Sequence, residues 1–379
     1  MKHHQYKADF KFVKEPIEFN KYTDRHLLQY CLGATLYMPA KKNFVDIIMN
    51  KKMPGLTSIV MCFEDAIAEE ELSDAETNSI NLLDVISKEL SAGNIKYEDI
   101  PLIFFRVRSP EQFKNFTKKL KPSYINIIAG FVFPKFTTSN GYLYLNHLKW
   151  INDSFNDILY GMPILESHEI AFKETRICEL TGIKKLLKNY REFILNIRVG
   201  ATDMSSCFGV RRGIDYSIYD ILTVRDCLSD ILNLLSREDD EYVVSAPVWE
   251  YFLADKSMKF SETLEGHIHT SLLKRNLIIN EAIDGLLREV IIDRANGFVG
   301  KTIIHPTHLK YVNAMQAVTK EEYEDAVQIL NTSGGVIKSS NCNKMNEINP
   351  HRNWANKIYA KAQVYGVVEN ESSYAQLFI

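Results

Sequence analysis

Nowhere in these 379 residues do about 18 consecutive apolar side chains occur, so no membrane-spanning helix is expected. The opening Met1-Lys-His-His-Gln-Tyr-Lys-Ala-Asp9 lacks a hydrophobic segment, which argues against a secretory signal. Charge of one sign is not in excess either. With 45 basic and 48 acidic residues the formal net charge is -3, and electrostatics offer no reason to expect nucleic acid or an anionic membrane as partner. The six cysteines (31, 62, 178, 207, 227 and 342) form no Cys-x-x-Cys pair, which fits reduced thiols in a cytoplasmic protein better than disulfides or a zinc site. Repeats of solenoid length and low-complexity tracts are missing as well.

What is present is ordinary globular composition, 46% hydrophobic and 25% charged, in a chain long enough for one large α/β barrel or two domains. Residues 1–28 are polar and aromatic without a clean period, as expected of a segment wrapped around the outside. Short apolar runs then alternate with amphipathic stretches. The strand candidates are Ala34–Met38, Ser58–Phe63, Leu102–Val107, Gly130–Pro134, Met162–Leu165, Phe193–Val199, Tyr242–Ala246 and Val299–His305. Each is nearly continuous in apolar residues, as parallel strands buried on both faces should be. Between them Asn78–Leu90 and Tyr216–Leu235 have helical spacing, and Ser109-Pro110 reads as a cap followed by a first-turn proline. Repeated strand-then-helix units predict a (β/α)8 TIM barrel over residues 1–315, followed by a C-terminal helical extension over 316–379. In that extension Thr319-Lys-Glu-Glu322 is a capping box, Asn331–Asn343 reads as a flexible stretch, and Pro350–Tyr365 reads as a last helix.

The chemistry of such a barrel sits at the carboxyl ends of its strands. Those ends carry Glu64-Asp65, Arg106 with Arg108, Lys135, Glu166, Asp203, Ser245 and His305. A charge ending a buried strand costs several kcal/mol (about 2–7 for a polar group, more for an ion) unless it is paired or metal-bound. Glu166 and Asp203 end successive strands, which points to one shared divalent cation. Carboxylates hold a hard cation that polarises a carbonyl and stabilises an enolate. An arginine such as Arg106 clamps a carboxylate and offsets developing charge. Structural readings stand beside these. Glu64 and Asp65 fit a helix cap or a pair with Lys135, Arg106 fits a barrel-mouth ion pair, and Lys135 fits a structural role. His267 and His269 have one-face spacing but no nearby third ligand, which favours a surface or core reading.

Taken in order, the strand ends spell a recognisable set: Leu36-Tyr-Met-Pro-Ala40, Phe63-Glu-Asp-Ala66, Phe105-Arg-Val-Arg108, Phe133-Pro-Lys135, Ile164-Leu-Glu-Ser167, Gly200-Ala-Thr-Asp203 and Gly297-Phe-Val-Gly-Lys-Thr-Ile-Ile-His-Pro306. This resembles the citrate lyase beta subunit-like branch of the HpcH/HpaI aldolase superfamily. Its departures are similar to those of the carbon–carbon bond lyases associated with tellurium-resistance and stress gene clusters. The resemblance implies a TIM-barrel lyase or aldolase that makes or breaks a bond beside a carboxylate or a CoA thioester. It implies Mg2+ on Glu166 and Asp203, a substrate carboxylate on Arg106, and support from Glu64 and Asp65. Gly200 and Ala201 match the substrate side of the sixth strand end, and Arg211 and Arg212 follow it as receivers of a second anionic group. A homo-oligomer, trimer or hexamer, is implied too, with the C-terminal segment as an active-site lid. Cys62 replaces a family acid, and Asn349 replaces a C-terminal acid/base, so Glu347 beside it is the substitute expected here. The alternative is a non-catalytic barrel that binds a metabolite or a partner protein.

Overall fold

The computed structural model of the chain describes residues 1–238, 242–252 and 279–378, so His267 and His269 lie outside the described residues. Its centre is a sheet of parallel strands: β1 Ala34–Pro39, β2 Ser58–Cys62, β3 Leu102–Arg106, β4 Ile128–Phe133, β5 Tyr160–Leu165, β6 Arg198–Val199 and β7 Lys301–Ile303. They run in the order β6-β5-β4-β3-β2-β1-β7. Residues 242–246 join the two edges. Ile197 N–H donates to Val243 O at 2.9 Å on one side, and Val299 N–H donates to Val244 O at 2.9 Å on the other. The expected TIM barrel is thus present, with its seventh sequence candidate reduced to a bridging segment.

Burial on both faces explains why the strands read as apolar runs. Ile59 and Met61 point outward into a core shared with the helices, while Val60 between them points into the barrel with Phe104, Met162 and Val243. The strand phenylalanines Phe105, Phe131 and Phe133, and Phe63 just after β2, are fully buried in the outer layer. Each such side chain stabilises the fold by roughly 1.5–3 kcal/mol. Helices Leu72–Ser91, Thr138–Phe155, Lys173–Lys188, Leu222–Leu235 and Glu281–Ala295 supply the covering layer. The Ser109 cap forms as expected, its side chain accepting from Gln112 N–H, with Pro110 in the first turn.

Three expectations are corrected. The first 28 residues do not merely wrap the outside: Met1, Phe19 and Leu28 join the interior cluster and plug the amino-terminal end of the barrel. Lys21 is buried there and donates to Ile125 O and, at 3.3 Å, to Ile128 O where β4 begins. Second, Phe193 belongs to a 3-10 turn, and the ladder of strand six holds only Arg198–Val199. Third, Asn331–Asn343 is not a featureless linker, because Val336–Lys338 pairs antiparallel with Met345–Glu347. Capping of the extension's first helix is as read: Thr319 accepts from Glu322 N–H, and Glu322 accepts from Thr319 N–H. That helix, Lys320–Asn331, and Ile348–Tyr365 bury a small core of their own around Ala326, Ile329 and Ile358.

Candidate active site

At the carboxyl end of the barrel a cavity of about 300 Å³ is lined by Arg106, Glu166, Gly200, Asp203, Arg198 and Tyr37, among others. A larger one, about 710 Å³, lies between Glu281–Ala295 and the extension. The smaller cavity is the candidate site, because strand ends converge on it.

Arg106, the last residue of β3, is nearly buried and touches three carboxylates. It pairs with Glu64, with Asp65 at 3.1 Å, and with Glu166 Oε1 at 3.4 Å. Burial works against its charge, but Glu166, Cys62 and Glu64 outweigh that and hold its pKa well above the ordinary arginine range. Lys135 is the second cation of the cluster. Its ammonium lies 2.6 Å from Glu64, 3.8 Å from Asp65 and 3.6 Å from Asp203. Its backbone sits at φ 45°, a left-handed conformation that a lysine adopts at a cost of about 1–3 kcal/mol. That strain aims its N–H at Glu166 Oε1, 3.0 Å away.

Glu166 follows β5 directly and is 4% exposed. Burial is the main reason its carboxyl is pushed up to about 7, with Arg106 opposing the shift and Asp203 adding to it. Asp203 stands in the first turn of helix Ala201–Ser206. Gly200, three residues before Asp203, packs against Glu166. A Cβ there would lie 1.9 Å from Glu166 Oε2 and 2.6 Å from Glu166 Cβ, so only glycine lets the strand end and the helix start approach this closely.

The charge balance is informative. Among the described residues the four carboxyl groups of Glu64, Asp65, Glu166 and Asp203 pair with two cations, Arg106 and Lys135, so acidic groups outnumber cations by two. No group of three or more His, Cys, Asp and Glu side chains forms a metal cage among the described residues. Magnesium does not need one: it takes one or two carboxylates and completes an octahedron with water and substrate oxygens. Glu166 and Asp203 fit such an ion in donor type, number and charge.

Other sequence candidates lie elsewhere. Ala201 is buried behind Gly200 and is not among the cavity's lining residues. Arg211 is exposed and also outside the lining. Arg212 is not available for a second anion: its guanidinium is buried between Glu250 and Glu289 and donates to Val248 O at 2.8 Å. Glu347 is a correction as well. It is exposed at the end of the extension's hairpin, and no described residue after Ile304 lines the cavity, so within one chain the extension is not a lid over the site. Sequence reasoning passed over Arg198, Tyr37 and Thr302. The available signal was a charge inside an apolar strand, Ile197-Arg198-Val199, two residues before Gly200.

Among solved structures the fold is similar to the protein CitE of Mycobacterium tuberculosis, solved in complex with magnesium, acetoacetate and coenzyme A. The TM-score is 0.51 at 12% identity, covering 88% of this chain and 99% of that one. Malate synthase of Haloferax volcanii, native at 3 mM glyoxylate, also has a TM-score of 0.51 at 12% identity, over 87% of each chain. No curated protein matches the sequence. The family match is more extensive, spanning residues 26–367 and therefore both the barrel and most of the extension. The chain belongs to the C–C bond lyase family of the TIM-barrel fold.

Proposed function

We propose that the chain is a magnesium-dependent carbon–carbon lyase, citrate lyase beta-like, acting beside a carboxylate or a CoA thioester. The observation that carries this reading is the surplus of two acidic groups over cations in the cluster around Glu166 and Asp203 at the strand ends. The fold neighbour solved with magnesium and acetoacetate supports it, as does the family to which the chain belongs.

Glu166 and Asp203 would hold the ion. When bound, magnesium supplies Lewis-acid polarisation of a substrate carbonyl and a counter-charge for the enolate left by C–C cleavage. The chain's own residues prepare the place. Gly200 brings the two carboxylates together, while Arg106 and the Lys135 N–H hold Glu166 oriented before any ligand arrives. Glu64 and Asp65 keep Arg106 in that position. Ile164 and Val199 form a buried apolar wall that limits water around a nascent carbanion, which otherwise takes a proton from it.

Titration calorimetry with magnesium chloride tests the site. Wild type should bind the ion, and Glu166→Gln and Asp203→Asn should each abolish binding; full affinity in either variant refutes the assignment. A thermal-shift screen of CoA thioesters against free 2-oxo acids separates the two substrate kinds. All six cysteines are free, which supports the cytoplasmic location that belongs to this reading. A trimer or hexamer, also part of it, is checked by light scattering.

A further inference from the structure

Arg198 is 1% exposed, deep inside the barrel, and yet has no acid partner among the described residues. Its Nη1 donates to Thr35 Oγ1 at 3.3 Å and its Nη2 to Thr302 Oγ1 at 2.6 Å. The ring of Tyr37 lies 5.4 Å from its guanidinium carbon, and Nε has no hydrogen-bond partner. No carboxylate among the described residues pairs with it, and burial is the leading influence on its charge. A buried guanidinium is expensive to desolvate, and natural folds pair it or leave it out.

The other cations at the cavity are engaged. Arg106 answers Glu64, Asp65 and Glu166, and Lys135 answers Glu64, Asp65 and Asp203. Arg212 is closed off between two glutamates. Among the described residues the cavity therefore has two ends of opposite character, with surplus acidic groups at Glu166 and Asp203 and a positive charge without a counter-ion at Arg198. Both line the same 300 Å³ space.

We propose that Arg198 is the anion receiver of this site, and that the substrate carries two anionic groups, one at the Glu166–Asp203 end and one carboxylate over Arg198. The inference rests on the lyase reading for what the first end binds. It assigns to Arg198 the role that sequence pattern gave to Arg106, whose guanidinium organises acids instead. Tyr37, beside the guanidinium, and the hydroxyls of Thr35 and Thr302 hold the fork in place for a planar carboxylate.

The test uses the full chain with magnesium chloride and two probes: oxaloacetate, with two carboxylates, and pyruvate, with one. Calorimetry on wild type should show oxaloacetate binding more tightly than pyruvate by roughly tenfold to hundredfold, the worth of a charge-assisted hydrogen-bonded pair. Arg198→Met should lose that preference and keep pyruvate affinity, and Arg198→Lys should recover part of it. The Tm of Arg198→Met should equal or exceed that of wild type, because a buried charge without a counter-ion has been removed. Equal wild-type affinity for the two probes, an unchanged oxaloacetate preference in Arg198→Met, or a variant that melts earlier or fails to fold would each overturn the proposal. Magnesium binding by wild type, measured without either probe, is read separately: its absence refutes the metal assignment and leaves the Arg198 comparison to be decided on oxaloacetate alone.

Discussion

Placing one methyl group at Gly200 should dismantle the site without unfolding the barrel. The added Cβ meets Glu166 Oε2, Cβ and Cδ at 1.9, 2.6 and 2.9 Å. Carbon contacts are comfortable at about 3.5–4.0 Å, so the overlap with Glu166 Cβ alone is about 1 Å. Turning the carboxylate away clears the oxygen but not that carbon, so the end of β5 and the start of helix Ala201–Ser206 have to part. Overpacking of this size costs about 1–3 kcal/mol. The φ of -104° at Gly200 is open to alanine, so backbone strain adds nothing. Parting the two elements also separates Glu166 from Asp203 and pulls Glu166 off the Lys135 N–H. Gly200→Ala should therefore lower Tm by a few degrees at most (about 1 °C for each kcal/mol in a chain of this length) and weaken magnesium binding by at least tenfold. A double-mutant cycle isolates the cause. In a Glu166→Gly background, where the offending atoms are gone, Gly200→Ala should cost at least about 1 kcal/mol less. Wild-type Tm and magnesium affinity in Gly200→Ala, or an equal cost in both backgrounds, would refute the packing argument.

Lys301 is fully buried between Glu289 at 2.9 Å and Asp293 at 2.8 Å, so Lys301→Met leaves acids stranded and should cost about 3–5 kcal/mol in a urea titration. Lys361, buried beside Arg294, has its amine lowered to about 7, first by burial and then by Arg294, against an ordinary 10.5. Between pH 7 and 10.5 the unfolded chain holds a proton that the folded chain lacks, so this group's contribution to stability rises with pH by up to about 1.4 kcal/mol per unit. Lys361→Met should flatten that part of the wild-type pH–stability curve, and an unchanged slope would count against it. In the native protein a disulfide-exchange reagent should titrate exposed Cys178 and Cys342 first, while buried Cys31, Cys62 and Cys227 react only on unfolding.

How far local pattern reveals this molecule depends on the range of the interaction. Strands buried on both faces are apolar along their length, so β1 to β5 were legible to within a residue or two, and so were the helix caps at Ser109 and Thr319. That Glu166, Asp203 and Arg106 meet at one cavity was legible because a charge that interrupts an apolar run is conspicuous. Arg198 was equally conspicuous but was read as part of its strand, since nothing local distinguishes an inward from an outward guanidinium. Arg212 was misjudged for a related reason: its partners Glu250 and Glu289 are distant in sequence, and only the fold closes them around it. Asn331–Asn343 is polar enough to resemble a linker, but its partner strand lies beyond it at Met345–Glu347. Glu347 follows that strand away from the cavity.

The plug at the barrel's amino-terminal end also constrains the order in which the chain can fold. Tyr365 Oη donates to Tyr30 O, Tyr6 Oη donates to Leu377 O, and Val367 N–H donates to Lys14 O at 2.8 Å. Each of these bonds joins residues more than 330 positions apart. On a ribosome adding about 5–20 residues per second, the first thirty residues wait tens of seconds for partners that do not yet exist. During that interval Phe19, Leu28 and Tyr30 have no complete cover, and the barrel floor is an apolar surface open to water and to chaperones. Sealing is thus a late event of high contact order, set by the arrival of the 365–377 segment, and a chain shortened before it would be expected to aggregate even though every barrel strand had been made.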